Sequence, residues 1–420
     1  MGVGTFVNQP AKGASVPLRR AKLANFDLPL LVIAIALAIF GLLMLSSASM
    51  AVYAVNFEFP TEFKYMPTYI ILKQAIILIV SICIAFFIAR MDYHLWRKYA
   101  IVVLALAAGL LIVAAVTGNT TAEGRHGLLA NGSIQPPELA KLAIVIYLSV
   151  WLYSKREHLQ NVQLGLIPMA IILGIVGGLI LGQPDISAAA TVFLLGGLLF
   201  FLAGGDLRQF VIFMAAALVA GILVAKFTAS GRQRIDPYVA GLQNPVNSDY
   251  QVLLSLGGIV NGGWFGVGLG KAHMKTAGLP MAMTDSIFAV IVEELGLFGA
   301  LITVGLYGLL LYRGLKIASK APDSLGMLLA AGLTFWIVIE AFLNMGGITG
   351  LLPEAGNALP FISQGGSNLL VNVIAIAILL NISRQTNANG PVAEEWRFFG
   401  ATVDQRRRNR RRRVPRARRS

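Results

Sequence analysis

Between residues 28 and 383 the chain alternates long apolar runs with short polar breaks. Runs fall near 28–50, 69–89, 99–117, 139–153, 164–182, 186–203, 210–227, 286–312, 325–345 and 369–383. Each is read as a helix that crosses a bilayer, because a spanning helix needs about 20 mainly apolar residues. The pattern predicts an all-α polytopic membrane protein of about ten spans. An even number puts both termini on one side. Only Gln183-Pro184-Asp185 separates the fifth and sixth runs, so this pair could also be one broken helix. Three regions follow: an N-terminal tail over 1–27, a membrane domain over 28–384 and a C-terminal tail over 385–420.

Composition agrees with the pattern. Of the 420 residues 56% are hydrophobic and 13% charged, with a mean hydropathy of +0.73, too apolar for a soluble domain. A net charge of +14 would suggest nucleic acid on a soluble chain, but the segment Arg406–Arg419 holds ten arginines and no acid. The basicity belongs to a tail, so no nucleic-acid partner is expected; such a cluster suits anionic lipid head groups or an acidic partner. The single cysteine, Cys83, excludes a disulfide framework and a multi-cysteine metal site.

Cations orient the bundle. Arg19, Arg20, Lys22, Arg90, Arg97, Lys98, Lys155, Arg156, Arg208, Arg313, Lys316, Lys320 and the arginine tail fall in one set of loops, which the positive-inside rule makes cytoplasmic. Both termini are therefore expected in the cytoplasm. The opposite loops, 51–68, 118–138, 228–285 and 346–368, are longer and poorer in cations. The large exterior loop 228–285, between spans seven and eight, is rich in Gly, apolar residues and aromatics (Tyr238, Tyr250, Trp264, Phe265), so it is expected to be ordered. Its stretch Tyr250–Val260 is predicted as an interfacial or re-entrant helix, and any chemistry is expected on this outer face.

Ionisable residues within spans are costly and therefore candidates for function. Glu138 and Lys141, three apart, share a helical face: they either neutralise each other or lend the Lys141 charge to an anionic substrate. Asp185 and Asp285 each stand where a carboxylate could cap a helix, and Asp285 could equally act as a base. Glu293 and Glu294 lie about 12 Å below Asp285 at 1.5 Å per residue, too far for a carboxylate dyad, and are expected to pair with buried cations or cap polar walls. Gly266-Val267-Gly268-Leu269-Gly270 lacks the flanking pattern of a phosphate-cradling loop and reads as a tight turn. His126 has no metal-ligand spacing around it.

In order, Gln135-Pro136-Pro137-Glu138-Leu139-Ala140-Lys141, Gln183-Pro184-Asp185, Tyr250-Gln251 with Ser255-Leu256, the Gly266–Gly270 segment, Leu279-Pro280, Thr284-Asp285 with Glu293-Glu294-Leu295-Gly296, and Leu359-Pro360-Phe361-Ile362-Ser363 with Gly365-Gly366-Ser367 resemble the FtsW/RodA/SpoVE family over about residues 28–384. Ser46-Ser47-Ala48-Ser49 leans slightly toward the division branch. The resemblance implies a peptidoglycan glycosyltransferase that polymerises lipid II on the outer face of the cytoplasmic membrane, for septal or elongation synthesis. It implies a class B penicillin-binding protein as partner, with other divisome or elongasome proteins and membrane lipids around it. A lipid II flippase, or a non-catalytic scaffold for that transpeptidase, are the competing roles.

By the same resemblance Asp285 is the catalytic residue. Arg125, His126, Glu138, Lys141, Asp185, Gln251, Lys275, Thr284 and Ser363 surround the substrate, while Glu293, Glu294 and Glu340 are structural polar groups in the membrane. Arg125, Lys141, Arg232, Arg234, Lys271 and Lys275 are the cations available to a diphosphate leaving group, which a divalent cation such as Mg2+ or Mn2+ could assist. Six positions depart from the family pattern: His126 stands for Trp, Met283 for His, Ser286 for Phe, Glu340 for Gln, Gln364 for Tyr and Asn368 for Ser. They cluster near the proposed site, and loss of the Trp removes a surface that could stack on a sugar.

Overall fold

The computed structural model describes residues 26–50, 67–117, 119–120, 126–127 and 135–389. The ten long helices fall where the apolar runs predict: α1 (Leu28–Ser49), α2 (Pro67–Ile88), α3 (Trp96–Thr117), α4 (Pro136–Lys155), α5 (Ile167–Leu181), α6 (Ile186–Leu202), α7 (Leu207–Phe227), α11 (Ile287–Ser319), α12 (Ser324–Ile348) and α13 (Gly366–Asn389). Three further helices, α8 (Ala229–Gln243), α9 (Tyr250–Gly262) and α10 (His273–Thr276), lie between α7 and α11. Among the described residues, nine helices are long and apolar enough to cross a membrane, and the 17-residue α6 completes the set.

Aspartates start many of these helices. Asp27, Asp185, Asp206 and Asp323 accept from the amides of Leu30, Ala188, Arg208 and Gly326 at 2.9, 3.0, 2.8 and 2.7 Å. Each carboxylate satisfies an otherwise free N–H and sits at the positive end of the helix dipole. The Asp185 cap also settles the short break after the fifth run: α5 ends at Leu181, Gln183 Nε2 donates to the Leu111 carbonyl at 2.7 Å, and α6 is a separate helix.

Helices α12 and α13 form the centre, with 78% of each spanning stretch buried, whereas α7, at 11%, lies at the edge. Around the centre pack α4, α6 and α11; α1 rests on α11, and α2 on α13. At one end of the bundle, arginines and lysines lie over aromatic rings: Arg90 on Phe86, Arg97 and Arg156 on Tyr153, Lys316 on Tyr312, Arg384 on Phe26. Asp27 and Arg313 pair at 2.5 Å at this same end, joining the start of α1 to the end of α11. Here the apolar stems and rings suit the bilayer boundary while the charges reach water.

Two expectations are corrected. The last span does not stop at 383, since α13 continues to Asn389. The eighth span is not one regular helix: Gly296 has φ 69° and ψ −166°, which breaks α11 about ten residues below its start. Residues 1–25 and the arginine tail lie outside the described residues.

Candidate active site

The turn before α11 carries Asp285, 7% exposed, and its backbone is gripped from three directions. Three successive carbonyls each accept a bond from another part of the chain. Gln364 N donates to Met283 O at 2.8 Å, Ser363 Oγ to Thr284 O at 2.5 Å, and Asn344 Nδ2 to Asp285 O at 2.8 Å. Within the turn, the Met281 carbonyl accepts from both Thr284 N and Ser286 N at 3.0 Å. Met281 has φ +50° and Phe361, in the gripping loop, φ +67°. Left-handed backbone is costly for residues with a Cβ and persists only where surroundings enforce it.

The N-cap position of α11 is Ser286, not Asp285. The first helical carbonyl is that of Ser286, which accepts from Ala289 N at 3.0 Å, and the Ser286 hydroxyl donates back to Pro280 O at 2.9 Å.

Beneath the platform lies a buried ion cluster. Lys141 Nζ on α4 donates to Glu138 Oε1 at 2.9 Å and pairs with Glu340 on α12. Asn368 Nδ2 donates to Glu138 Oε2 at 3.2 Å, and Asn372 Nδ2 donates to Asn368 Oδ1 at 3.0 Å. Two of the departures from the family pattern, Glu340 and Asn368, thus meet at one ion pair. Lys141 is 1% exposed. Its charge is held by two carboxylates: the pairing with Glu138 that the spacing led one to expect is present, and Glu340 joins it.

Lys275 is also paired, with Glu294, one of the two carboxylates expected to meet a buried cation. Its Nζ lies 2.6 Å from Glu294 Oε1 and donates to the Ser47 carbonyl at 3.1 Å. Ser47 Oγ donates to Glu294 at 2.6 Å and accepts from Gly270 N at 3.1 Å. Glu293 accepts from the amides of His273 at 2.8 Å and Met274 at 3.2 Å. These contacts bear on the break at Gly296, where a membrane helix must not leave backbone groups unpaired. The loop after α9 supplies the partners: Val267 N and Gly268 N donate to the carbonyls of Glu293 and Glu294, and Gly263 O and Trp264 O accept from Leu297 N and Phe298 N, at 2.9–3.3 Å. The glycine-rich segment is a turn, as expected, with φ of +78°, +102° and +80° at Gly266, Gly268 and Gly270. Patching the broken helix is a task that spacing alone did not announce.

The remaining candidates divide by position. Asp185 caps α6 and accepts from Ser187 Oγ at 3.0 Å. Gln251, 8% exposed, has a side-chain nitrogen without a partner. Ser363 holds the platform: besides donating to Thr284 O, its hydroxyl accepts from Leu359 N at 2.7 Å, and it is 3% exposed. Arg125 lies outside the described residues. The backbone of His126 pairs with Thr120 in a two-residue ladder, and its side chain lies outside the description. Among the described residues no three of His, Cys, Asp and Glu converge as metal ligands, so they form no protein-built metal centre. Sequence reasoning missed Ser47, Asn344 and Asn372; the available signal was a polar residue one turn from another on an otherwise apolar helix, as with Glu340 and Asn344.

Residues 28–388 match the profile of the FtsW/RodA/SpoVE family, described as cell cycle protein. The chain belongs to that family. Among its FtsW/RodA/SpoVE relatives, a probable peptidoglycan glycosyltransferase FtsW from Trichlorobacter lovleyi is 34% identical over 86% of this chain and 94% of the relative. Stage V sporulation protein E of Bacillus subtilis is 34% identical over 85% and 97%. A chain from a solved peptidoglycan synthase complex superposes with a TM-score of 0.70 at 23% identity, covering 86% of this chain and 98% of that one. The rod shape determining protein RodA of Thermus thermophilus superposes at 0.62 with 24% identity, covering 86% and 97%. The two structures share the all-helical fold.

Proposed function

We propose that this chain is a peptidoglycan glycosyltransferase, polymerising lipid II on the outer face of the cytoplasmic membrane with both termini in the cytoplasm. Converting an α-linked diphosphate sugar into a β-1,4 linkage inverts the anomeric centre. That chemistry needs one base on the attacking 4-hydroxyl and no nucleophilic second carboxylate. Asp285 meets the requirement, and the observation that carries the proposal is its platform: three consecutive carbonyls, 283 to 285, held by Gln364, Ser363 and Asn344. A base acts only when held within reach of the proton it removes, and rigid backbone supplies that.

With Lys141 and Lys275 neutralised in the interior, Arg232, Arg234 and Lys271 are among the described cations on that side left for the diphosphate. Arg234 is the best placed: Nη1 donates to Ala355 O at 2.9 Å, on the loop that also bears Asn357 and Ser363. A class B penicillin-binding protein is the proposed partner, in keeping with the synthase complex whose chain shares this fold. The flippase alternative gains nothing from the bundle, because its buried ions close on one another in the Glu138–Lys141–Glu340 and Lys275–Glu294 clusters.

The test is polymerisation of lipid II by the purified chain with its penicillin-binding partner. Asp285→Asn should lose about 10²–10⁴ in rate, the usual contribution of a general base, while unfolding at the wild-type temperature. Wild-type glycan yield from Asp285→Asn would sink the proposal.

A further inference from the structure

Asn344 makes an unusual use of a side-chain amide. It is 3% exposed, and its Nδ2 donates at once to Asp285 O at 2.8 Å and to Asn357 O at 2.6 Å. The two carbonyls belong to segments far apart in the chain, the turn opening α11 and the loop joining α12 to α13. One NH2 group, with two hydrogens, uses both to fasten them together. Its Oδ1 has no partner. The donors therefore define what Asn344 does: a carboxylate here has none to give, and an aliphatic residue of equal size would leave both carbonyls unpaired.

The height of this amide is itself fixed. Asn344 sits one turn above Glu340 on the same face of α12, and Glu340 is paired with Lys141 of α4. Lys141 also holds Glu138, to which Asn368 donates at the start of α13, four residues beyond Gln364. The ion cluster thus ties together the two elements, α12 and the 359–368 segment, whose donors grip the carbonyls of residues 283–285.

We propose that Asn344 is a positioning residue for glycosyl transfer: it acts on the reaction through the backbone of Asp285 and touches no substrate. This rests on the general-base proposal above. A displacement of about 1 Å in a reacting group can lower a rate about a hundredfold. Loss of the amide should therefore appear in kcat, with KM for lipid II little changed.

The experiment uses the full chain with its penicillin-binding partner and lipid II as substrate. Asn344→Leu keeps the shape and removes both bonds; its kcat should fall about 10- to 100-fold with KM within about twofold of wild type. In an Asp285→Asn background the same change should cost nothing further, because the group it positions is already gone. Asn344→Gln, which keeps the donor, should recover part of the rate. A raised KM with kcat intact, a full additional loss on top of Asp285→Asn, or a wild-type rate in Asn344→Leu would each overturn the proposal. So would failure of Asn344→Leu to fold together with an inactive but folded Asn344→Gln, which would assign the amide to the fold alone. A wild-type rate in Asp285→Asn sinks the general base and this proposal with it, whereas an inactive Asp285→Asn beside a fully active Asn344→Leu removes this proposal only.

Discussion

Lys275 Nζ stands 2.6 Å from Glu294 Oε1, with both side chains 2% exposed or less. The pair bolts the loop between α9 and α11 to α11 next to its break, and Ser47 of α1 completes the contact. Removing one member of a buried pair strands the other charge, at a cost of about 3–5 kcal/mol, while removing both together is far milder. Lys275→Ala is expected to lower the unfolding temperature strongly. The double variant Lys275→Met with Glu294→Gln should recover most of the loss. Equal melting temperatures for wild type and Lys275→Ala in detergent would contradict the role assigned to the pair.

The same junction depends on glycine where the chains come closest. A Cβ on Gly266 would lie 2.1 Å from the Glu294 carbonyl oxygen, and φ is +78°. Overpacking costs about 1–3 kcal/mol and left-handed backbone about 1–2 kcal/mol more for a residue with a Cβ. Gly266→Ala should therefore reduce the yield of monodisperse protein. Gly308, inside α11, is the control, because a methyl group added there would meet nothing within 4 Å. Gly308→Ala should be neutral or stabilising by about 0.5–1 kcal/mol. Similar behaviour of the two variants on size exclusion would refute the assignment.

The fold was largely legible because bilayer crossing imposes a single strong pattern. Ten apolar runs matched ten helices, Asp185 announced its cap, and Tyr250–Val260 the helix between α7 and α11. What escaped was set by distant partners. Nothing local to Ile287–Ser319 shows that Gly296 breaks the helix, since the compensating bonds come from residues 263–268, about thirty positions away. Lys141 looked available to a diphosphate because a charge opening an apolar run reads as functional, and Lys275 because it lies in the loop 228–285. Of their neutralising partners, Glu340 lies 199 positions from Lys141, and Glu294 lies 19 positions from Lys275 on a different element. Asp285 could be singled out from its motif, but the three donors that hold its backbone could not.

The Glu138–Lys141–Glu340 cluster holds two carboxylates against one ammonium. Among the described residues, Glu340 has, beyond Lys141, only Trp336, one turn earlier on α12, as a side-chain hydrogen-bond neighbour. Glu340→Gln keeps an oxygen acceptor for Lys141 and removes a charge that the cluster does not balance, so a gain of about 1 kcal/mol is expected. Lys141→Ala leaves both carboxylates buried and should cost about 3–5 kcal/mol. Thermal unfolding of the two variants side by side is decisive: a Glu340→Gln protein less stable than Lys141→Ala would reverse the account of the cluster.

Ser363 offers a test that separates holding the platform from holding the substrate. Its hydroxyl donates to Thr284 O at 2.5 Å and accepts from Leu359 N at 2.7 Å, so one oxygen closes the loop and grips the turn that carries Asp285. Ser363→Ala leaves a buried carbonyl and a buried amide unpaired, each costing about 1–3 kcal/mol. If the hydroxyl serves only the platform, kcat for lipid II polymerisation falls and KM stays near wild type, because no contact to the sugar is lost. A direct substrate contact would instead show as a raised KM. Initial rates across a range of lipid II concentrations distinguish the two, and a raised KM at unchanged kcat would return Ser363 to the substrate face.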